Sequence, residues 1–261
     1  MRMFGYSLIR TISTVATIFA ALLILVGGAH AGDKSLEKAI HKAMAADSRP
    51  DDDKARDANR LPLETLSFFG LKSDMTVVEL IPGGGWYTRI LAPVLAKKGQ
   101  LYLAYGTGRV EENVLSTKGF EKVKILAKDA KVYRPEGAPR YVLENADLDV
   151  SNVDMVLTFR NYHNFGPEGR KAMNDAAYKA LKKGGIYGVV DHTRRHMEAN
   201  SDANRRRIDP VLAIKEIEAA GFEFVDFSDI HYREGDTTEL EVGEDAVRGK
   251  TDRWTLKFKK K

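Results

Sequence analysis

The chain has 261 residues, enough for one large domain with extensions, and its apolar and charged fractions of 43% and 30% are those of a globular protein with a buried core. The formal charge of +4 includes Arg2 and Arg10; from Gly32 onward basic and acidic side chains nearly balance, which removes the compositional ground for a nucleic-acid partner. There is no cysteine, so a lipid-modified cysteine anchor, a disulfide framework and thiolate chemistry are all excluded.

Residues 1–31 read as a secretion signal. Arg2 and Arg10 precede the uncharged stretch TISTVATIFAALLILVGG, and Ala29 to Ala31 (AHA) offers the small-x-small pattern of a cleavage site. An uncleaved N-terminal anchor, with membrane association through the N-terminus, is the alternative; either reading puts the rest of the chain outside the cytoplasmic membrane, periplasmic or secreted. Residues 32–70 are expected to form an N-terminal helical extension or lid. Its first part, including HKAMAADSRPDDDKARDANR, is rich in charge and poor in apolar periodicity, and reads as a solvated helix and loop. LPLETLSFFGL then spaces Leu63, Leu66 and Phe69 for a short helix capped by Gly70.

From residue 71 to 261 apolar runs alternate with helical periodicities, which predicts an α/β domain. TVVELI is a buried strand; WYTRILAPVLAKKG is a helix with Ile90, Leu91, Val94 and Leu95 on one face, bent at Pro93 and ended by Gly99; QLYLAYG is the second strand. VEENVLSTKGFEKVKILAK has a helix-like pattern, and a third strand is expected in APRYVLENADL. VDMVLTF is apolar throughout, as a strand covered on both faces requires. PEGRKAMNDAAYKALKKGG places proline at the first helical position and closes at Gly184, and IYGVVD is the fifth strand. DPVLAIKEIEAAG has Asp209 as N-cap and Gly221 as stop. GFEFVDFSDI and DRWTLKFK have no strong helix between them, only the polar REGDTTELEVGEDAVRG, so an antiparallel pair is expected at one sheet edge.

The first strand runs into PGGGWYTRIL. Open parallel sheets bind ligands at the carboxyl ends of their strands, and a glycine turn feeding a helix start brings backbone N–H groups and the helix dipole to that point. A tight turn with no ligand is the plainer reading. A nicotinamide or flavin site would show G-x-G-x-x-G, but the third position falls on Thr88. The segment instead resembles the first motif of the class I S-adenosylmethionine-dependent methyltransferases, an acidic residue followed by G-x-G-x-G: Glu79 matches the acid, Gly83 and Gly85 the second and third glycines, and Ile81 replaces the first. PGGGWYTRILAP, RNYHN and RGKTDRWTLKF are similar to a group of predicted, exported members of that superfamily, over roughly residues 49 to 261.

The resemblance implies a Rossmann-like fold: a mostly parallel seven-stranded sheet with an antiparallel last strand and helices on both faces, spanning residues 71–261. It implies S-adenosylmethionine as cofactor, with Glu79 under its amino-acid end and Gly83, Gly84 and Gly85 beneath its carboxypropyl and ribose portions. Asn145, Ala146 and Asp147 resemble the loop that borders the adenine. The acid that usually ends the second strand and holds the ribose hydroxyls is missing; Tyr105 and Thr107 stand there instead. After the fourth strand, Arg160 to Phe165 (RNYHNF) would face the transferring methyl group. His163 is the candidate base, Asn161, Tyr162 and Asn164 candidate positioners, and Arg160 a holder for an acidic group on the acceptor. A loop capping the following helix is the alternative. Asp191 and His192, after the fifth strand, are a second acid/base pair or acceptor contacts on the same rim. No known metal-ligand spacing joins His163, Asp191, His192 and His196. Arg205 to Arg207 and the terminal KFKKK read as solvated faces, an anionic membrane surface being the alternative.

The expected function is methyl transfer to a small-molecule or lipid-linked acceptor outside the cytoplasm. The alternative is a non-catalytic binding module that keeps the fold for another small ligand.

Overall fold

The computed structural model describes residues 34–261, so the secretion signal or anchor expected in residues 1–31 lies outside the described residues. The chain begins with α1 (Lys34–Met44), two single turns α2 (Asp51–Lys54) and α3 (Asp57–Arg60), and α4 (Pro62–Phe69). It continues through β1 (Thr76–Leu80), α5 (Thr88–Leu95), β2 (Gln100–Ala104) and α6 (Gly108–Val110), which runs into a π-helical turn at Glu111–Leu115. β3 (Lys124–Leu126), β4 (Lys131–Tyr133), β5 (Val142–Glu144) and β6 (Val153–Phe159) precede a 3₁₀ turn at Tyr162–Asn164. α7 (Pro167–Ala180), β7 (Leu181–His192), α8 (Pro210–Ala219), β8 (Phe222–Ser228) and β9 (Arg253–Lys260) complete it.

Seven strands form one sheet in the order β3-β2-β1-β6-β7-β9-β8. β3, β2, β1, β6 and β7 pair in parallel, and β9 inserts antiparallel to both β7 and β8, as expected of the two closing strands. Period-2 alternation divides the side chains between two layers. Val77, Leu101, Leu103, Met155 and Leu157 meet Ile40, Leu66, Phe69, Ile90 and Leu91 from α1, α4 and α5. Val78, Leu80, Val156 and Val189 meet Met173, Ala177, Ala213 and Ile217 from α7 and α8. Asp209 caps α8 by accepting from Val211 N at 2.8 Å, and α7 starts with proline as read from the sequence.

Three readings need correction. The third strand of the main sheet is Lys124–Leu126, taken from the stretch read as helix; Val142–Glu144 instead pairs with β4 in a separate two-stranded ribbon. Only three residues pair there, too few to carry a period. The charged segment before Leu61 is solvated only in part: most of its charges are exposed, but Arg49, Asp53 and Arg60 are buried, with Arg49 forked onto Asp57 at 2.8 and 2.7 Å. Among Arg205 to Arg207, Arg207 is fully buried and forked onto Asp236 at 2.9 Å for both bonds, which ties the polar excursion before β9 to the body of the domain. Among the described residues no helix is long and apolar enough to cross a membrane.

Candidate active site

The strand order reverses between β1 and β6, so their carboxyl ends diverge and leave a crevice. β1, β2, β3, β5 and β6 are each followed directly by a residue at positive φ: Ile81, Tyr105, Ala127, Asn145 and Arg160. For side chains other than glycine this conformation costs about 1–2 kcal/mol per residue. Such strain gathers where a fold must turn the chain abruptly onto a functional rim.

At the β1/β6 crevice lies a cavity of about 750 Å³ whose lining includes Glu79, Gly83, Gly84, Arg160, Asn161 and His163. Gly83 has φ +58°, and a Cβ built on it would meet nothing within 4 Å. Gly85 differs. A Cβ there would stand 2.6 Å from Val114 Cγ2 and 2.8 Å from Val110 Cγ2, so its side chain is excluded by the turn after β2 and not by a ligand. Glu79 is buried and accepts from Thr88 Oγ1 at 2.7 Å. Burial raises its carboxyl to about 7 against the opposing effects of Thr88 and Arg60.

His163 and Asp191 form a dyad. Asp191 is fully buried, and its Oδ1 lies 2.6 Å from His163 Nδ1 while Oδ2 accepts from the His163 backbone N at 2.8 Å. Oδ1 also accepts from His192 N at 2.7 Å. Facing an ionised carboxylate, which only accepts, Nδ1 is the donor, and in the neutral ring Nε2 is left with the lone pair. Asp191 thus serves His163 and does not form a separate pair with the His192 ring, whose Nδ1 bonds Thr251 Oγ1 at 2.8 Å. Burial holds the His192 imidazole well below its ordinary value, with His163 adding to the effect.

Asn161 donates to Ile81 O and Phe159 O, both at 3.0 Å, and so fastens the β6 end to the β1 end. Arg160 lines the cavity, its side chain making no hydrogen bond within the described residues. Tyr162 is not brought to the cavity. It is fully buried under α7 and α8, donating to Glu216 and accepting from Asn174, because the 3₁₀ turn points it into the opposite layer. Nor do Asn145, Ala146 and Asp147 reach it. They follow the ribbon strand β5: Asn145 bonds Asp129 O, Ala146 O receives the Tyr105 hydroxyl, and Asp147 pairs with Lys179. Tyr105 is buried by that bond, and Thr107 donates to Glu111, a carboxylate standing just beyond the β2 end. His196 bonds Asp209 instead of joining His163, and the described residues hold no cluster of three or more metal-ligating side chains.

The remaining walls come from segments whose charge pattern gave no functional signal. Asp53 binds both Arg56 and Arg89, and Arg206 pairs with Glu241 from the polar excursion. Arg60 lies over Trp86 at 4.5 Å, and its own carbonyl accepts from Thr65, Tyr87 and His231. Burial, with the nearby Arg160 adding to it, lowers the Arg60 guanidinium well below its ordinary value.

No protein-family model matches the sequence, and no curated protein matches it. Solved structures do. The chain is similar to a SAM-dependent methyltransferase from Aquifex aeolicus, with TM-score 0.54, 15% identity, and 85% of this chain and 97% of that one covered. It is similar to the [4+2]-cyclase SpnF, at TM-score 0.54 and 14% identity over 87% and 93% of the two chains. Human N-acetylserotonin methyltransferase, solved in complex with SAM, follows at 0.51 and 12%, over 87% and 57%. Identities this low speak for the fold, and one fold can host a methyltransferase and a cyclase alike. The chain has the fold of the class I S-adenosylmethionine-dependent methyltransferases.

Proposed function

We propose that the protein binds S-adenosylmethionine over Gly83 and Gly84 and catalyses methyl transfer to a hydroxyl acceptor, with His163 as general base. One observation carries this reading: the His163–Asp191 dyad borders the same cavity as the open glycine turn and Glu79. The residues present fit the cofactor at its amino-acid end, where Gly83 leaves room and Glu79 lies below. They fit less well at the ribose, since β2 ends without an acid and Tyr105 is already bonded.

When bound, S-adenosylmethionine supplies an electrophilic methyl group on a sulfonium. His163 Nε2 accepts the acceptor hydroxyl's proton as the oxygen becomes the nucleophile, and Asp191 stabilises the imidazolium that results. Asp191 also fixes the ring's orientation through the two bonds to residue 163. Asn161 holds the β1 and β6 ends together, so the glycine turn and the base keep their spacing.

We place this activity outside the cytoplasm on the leader-like residues 1–31; the mature protein is expected to begin at Gly32, which mass spectrometry of its N-terminus checks. The missing acid after β2 favours a second reading, a non-catalytic module for another small ligand. Methyl-tritiated S-adenosylmethionine, incubated with the protein and a cell-envelope extract, separates the two. Label transferred by the wild type and not by Gly83→Val supports the enzyme; ligand affinity lost in Gly83→Val with no transfer by the wild type supports the module.

A further inference from the structure

His163 is the single residue shared between the glycine-side cavity and a second one, of about 940 Å³. Six arginines line the second cavity: Arg134, Arg140, Arg170, Arg194, Arg205 and Arg207. Two of these are neutralised, Arg170 by a fork onto Glu216 at 2.7 and 2.6 Å and Arg207 by its fork onto Asp236. The other four have no carboxylate partner among the described residues. Arg134 lies over the Tyr141 ring at 5.9 Å, Arg194 bonds the neutral amide oxygen of Asn200 and leaves its buried Nε without an acceptor, and the Arg140 and Arg205 side chains make no hydrogen bond. The single carboxylate on the lining is the exposed Asp202.

Such an arrangement is unfavourable without a counter-charge. Burial lowers the Arg140 guanidinium, and Arg170, Arg194 and Arg205 add to the effect, so the cations are close enough to repel. The N-terminal end of α7 enters the same lining at Gly166 and Pro167 with no side chain capping it, adding the positive end of a 14-residue helix. Guanidinium forks and a free helix start are the two groups that proteins use for phosphate oxygens. The volume lies within the range of small-molecule sites.

We propose that the arginine-lined cavity is the acceptor site and takes a phosphate or diphosphate ester of a hydroxy compound, whose hydroxyl is presented to His163. The acceptor role rests on the methyl-transfer reading; the anion site does not.

Calorimetric titration of the purified protein with inorganic pyrophosphate tests it. Saturable binding is expected, at least tenfold weaker in Arg140→Gln and in Arg205→Gln, and unchanged in Arg195→Gln, which removes an exposed charge outside the lining. Arg205 is exposed, so that variant keeps the fold even if Arg140→Gln does not. Protection of Arg140, Arg194 and Arg205, but not Arg195, from phenylglyoxal by pyrophosphate is the matching wild-type result. Absence of saturable binding, or an equal loss in Arg195→Gln, overturns the site. Displacement of pyrophosphate by S-adenosylhomocysteine moves the anion to the glycine side and overturns it as well. Pyrophosphate binding without any S-adenosylhomocysteine binding keeps the anion site and removes the methyl-transfer reading. Capture by phosphatidic acid vesicles, reversed by pyrophosphate, assigns the ester to a lipid; pyrophosphate binding without vesicle capture assigns it to a soluble compound.

Discussion

His163 is held as a base must be held: Asp191 accepts from its Nδ1–H and from its backbone N–H, and both residues are buried. His163→Ala is therefore expected to leave S-adenosylhomocysteine affinity within about twofold and to lower kcat by about 10²–10⁴, the usual worth of a positioned base. Loss of stability with turnover unchanged would leave the residue a purely structural role. Glu79 makes a second prediction, on pH. Its carboxyl has an ordinary value of 4.5 and is raised to about 7 by burial. A raised acid contributes its full stability below the unfolded value, and that contribution is lost as pH rises through about 7. Between pH 4.5 and 8 the loss is on the order of 3 kcal/mol, and Glu79→Gln should remove it. Urea unfolding at pH 5 and pH 8 checks this; a Glu79→Gln profile as steep as the wild type's would refute it.

The two positive-φ glycines after β1 do different work at the level of the strand-to-helix turn. Gly83→Ala adds a methyl where the protein leaves space, so it should cost about 1–2 kcal/mol for the left-handed backbone and still weaken cofactor binding. Gly85→Ala drives a Cβ into Val110 and Val114 as well, for which about 1–3 kcal/mol more is expected. Thermal melts of both variants beside their S-adenosylhomocysteine affinities distinguish the roles; equal stability losses would contradict the division. Elements of this kind were legible in the sequence wherever a long pattern met a clear stop. The apolar β6, the proline at the start of α7 and the Asp209 cap were all readable. β3 was not, because three paired residues leave no period to read, and β5, in the stretch read as the third strand, belongs to a side ribbon.

Across the whole molecule, the cavity is closed by segments far apart in sequence. His231, in the turn after β8, meets the carbonyl of Arg60 across 171 residues, and Arg253 Nη1 bonds Asn59 O across 194. These contacts fix the wall that carries Arg60 and Trp86. No local pattern announces them, since buried ion pairs such as Arg207–Asp236 have the same composition as a solvated face. The glycine turn, Glu79, Arg160, Asn161, His163 and Asp191 could be picked out because each stands at the end of a readable strand. Tyr162 was misplaced because a 3₁₀ turn, unlike a strand, sends neighbouring side chains into different layers. The proposed seat of the cofactor is the turn at Gly83 and Gly84, which calorimetric titration with S-adenosylhomocysteine, with NAD as control, checks. Saturable micromolar binding of S-adenosylhomocysteine alone is predicted; no binding to a sample shown to be folded would contradict it.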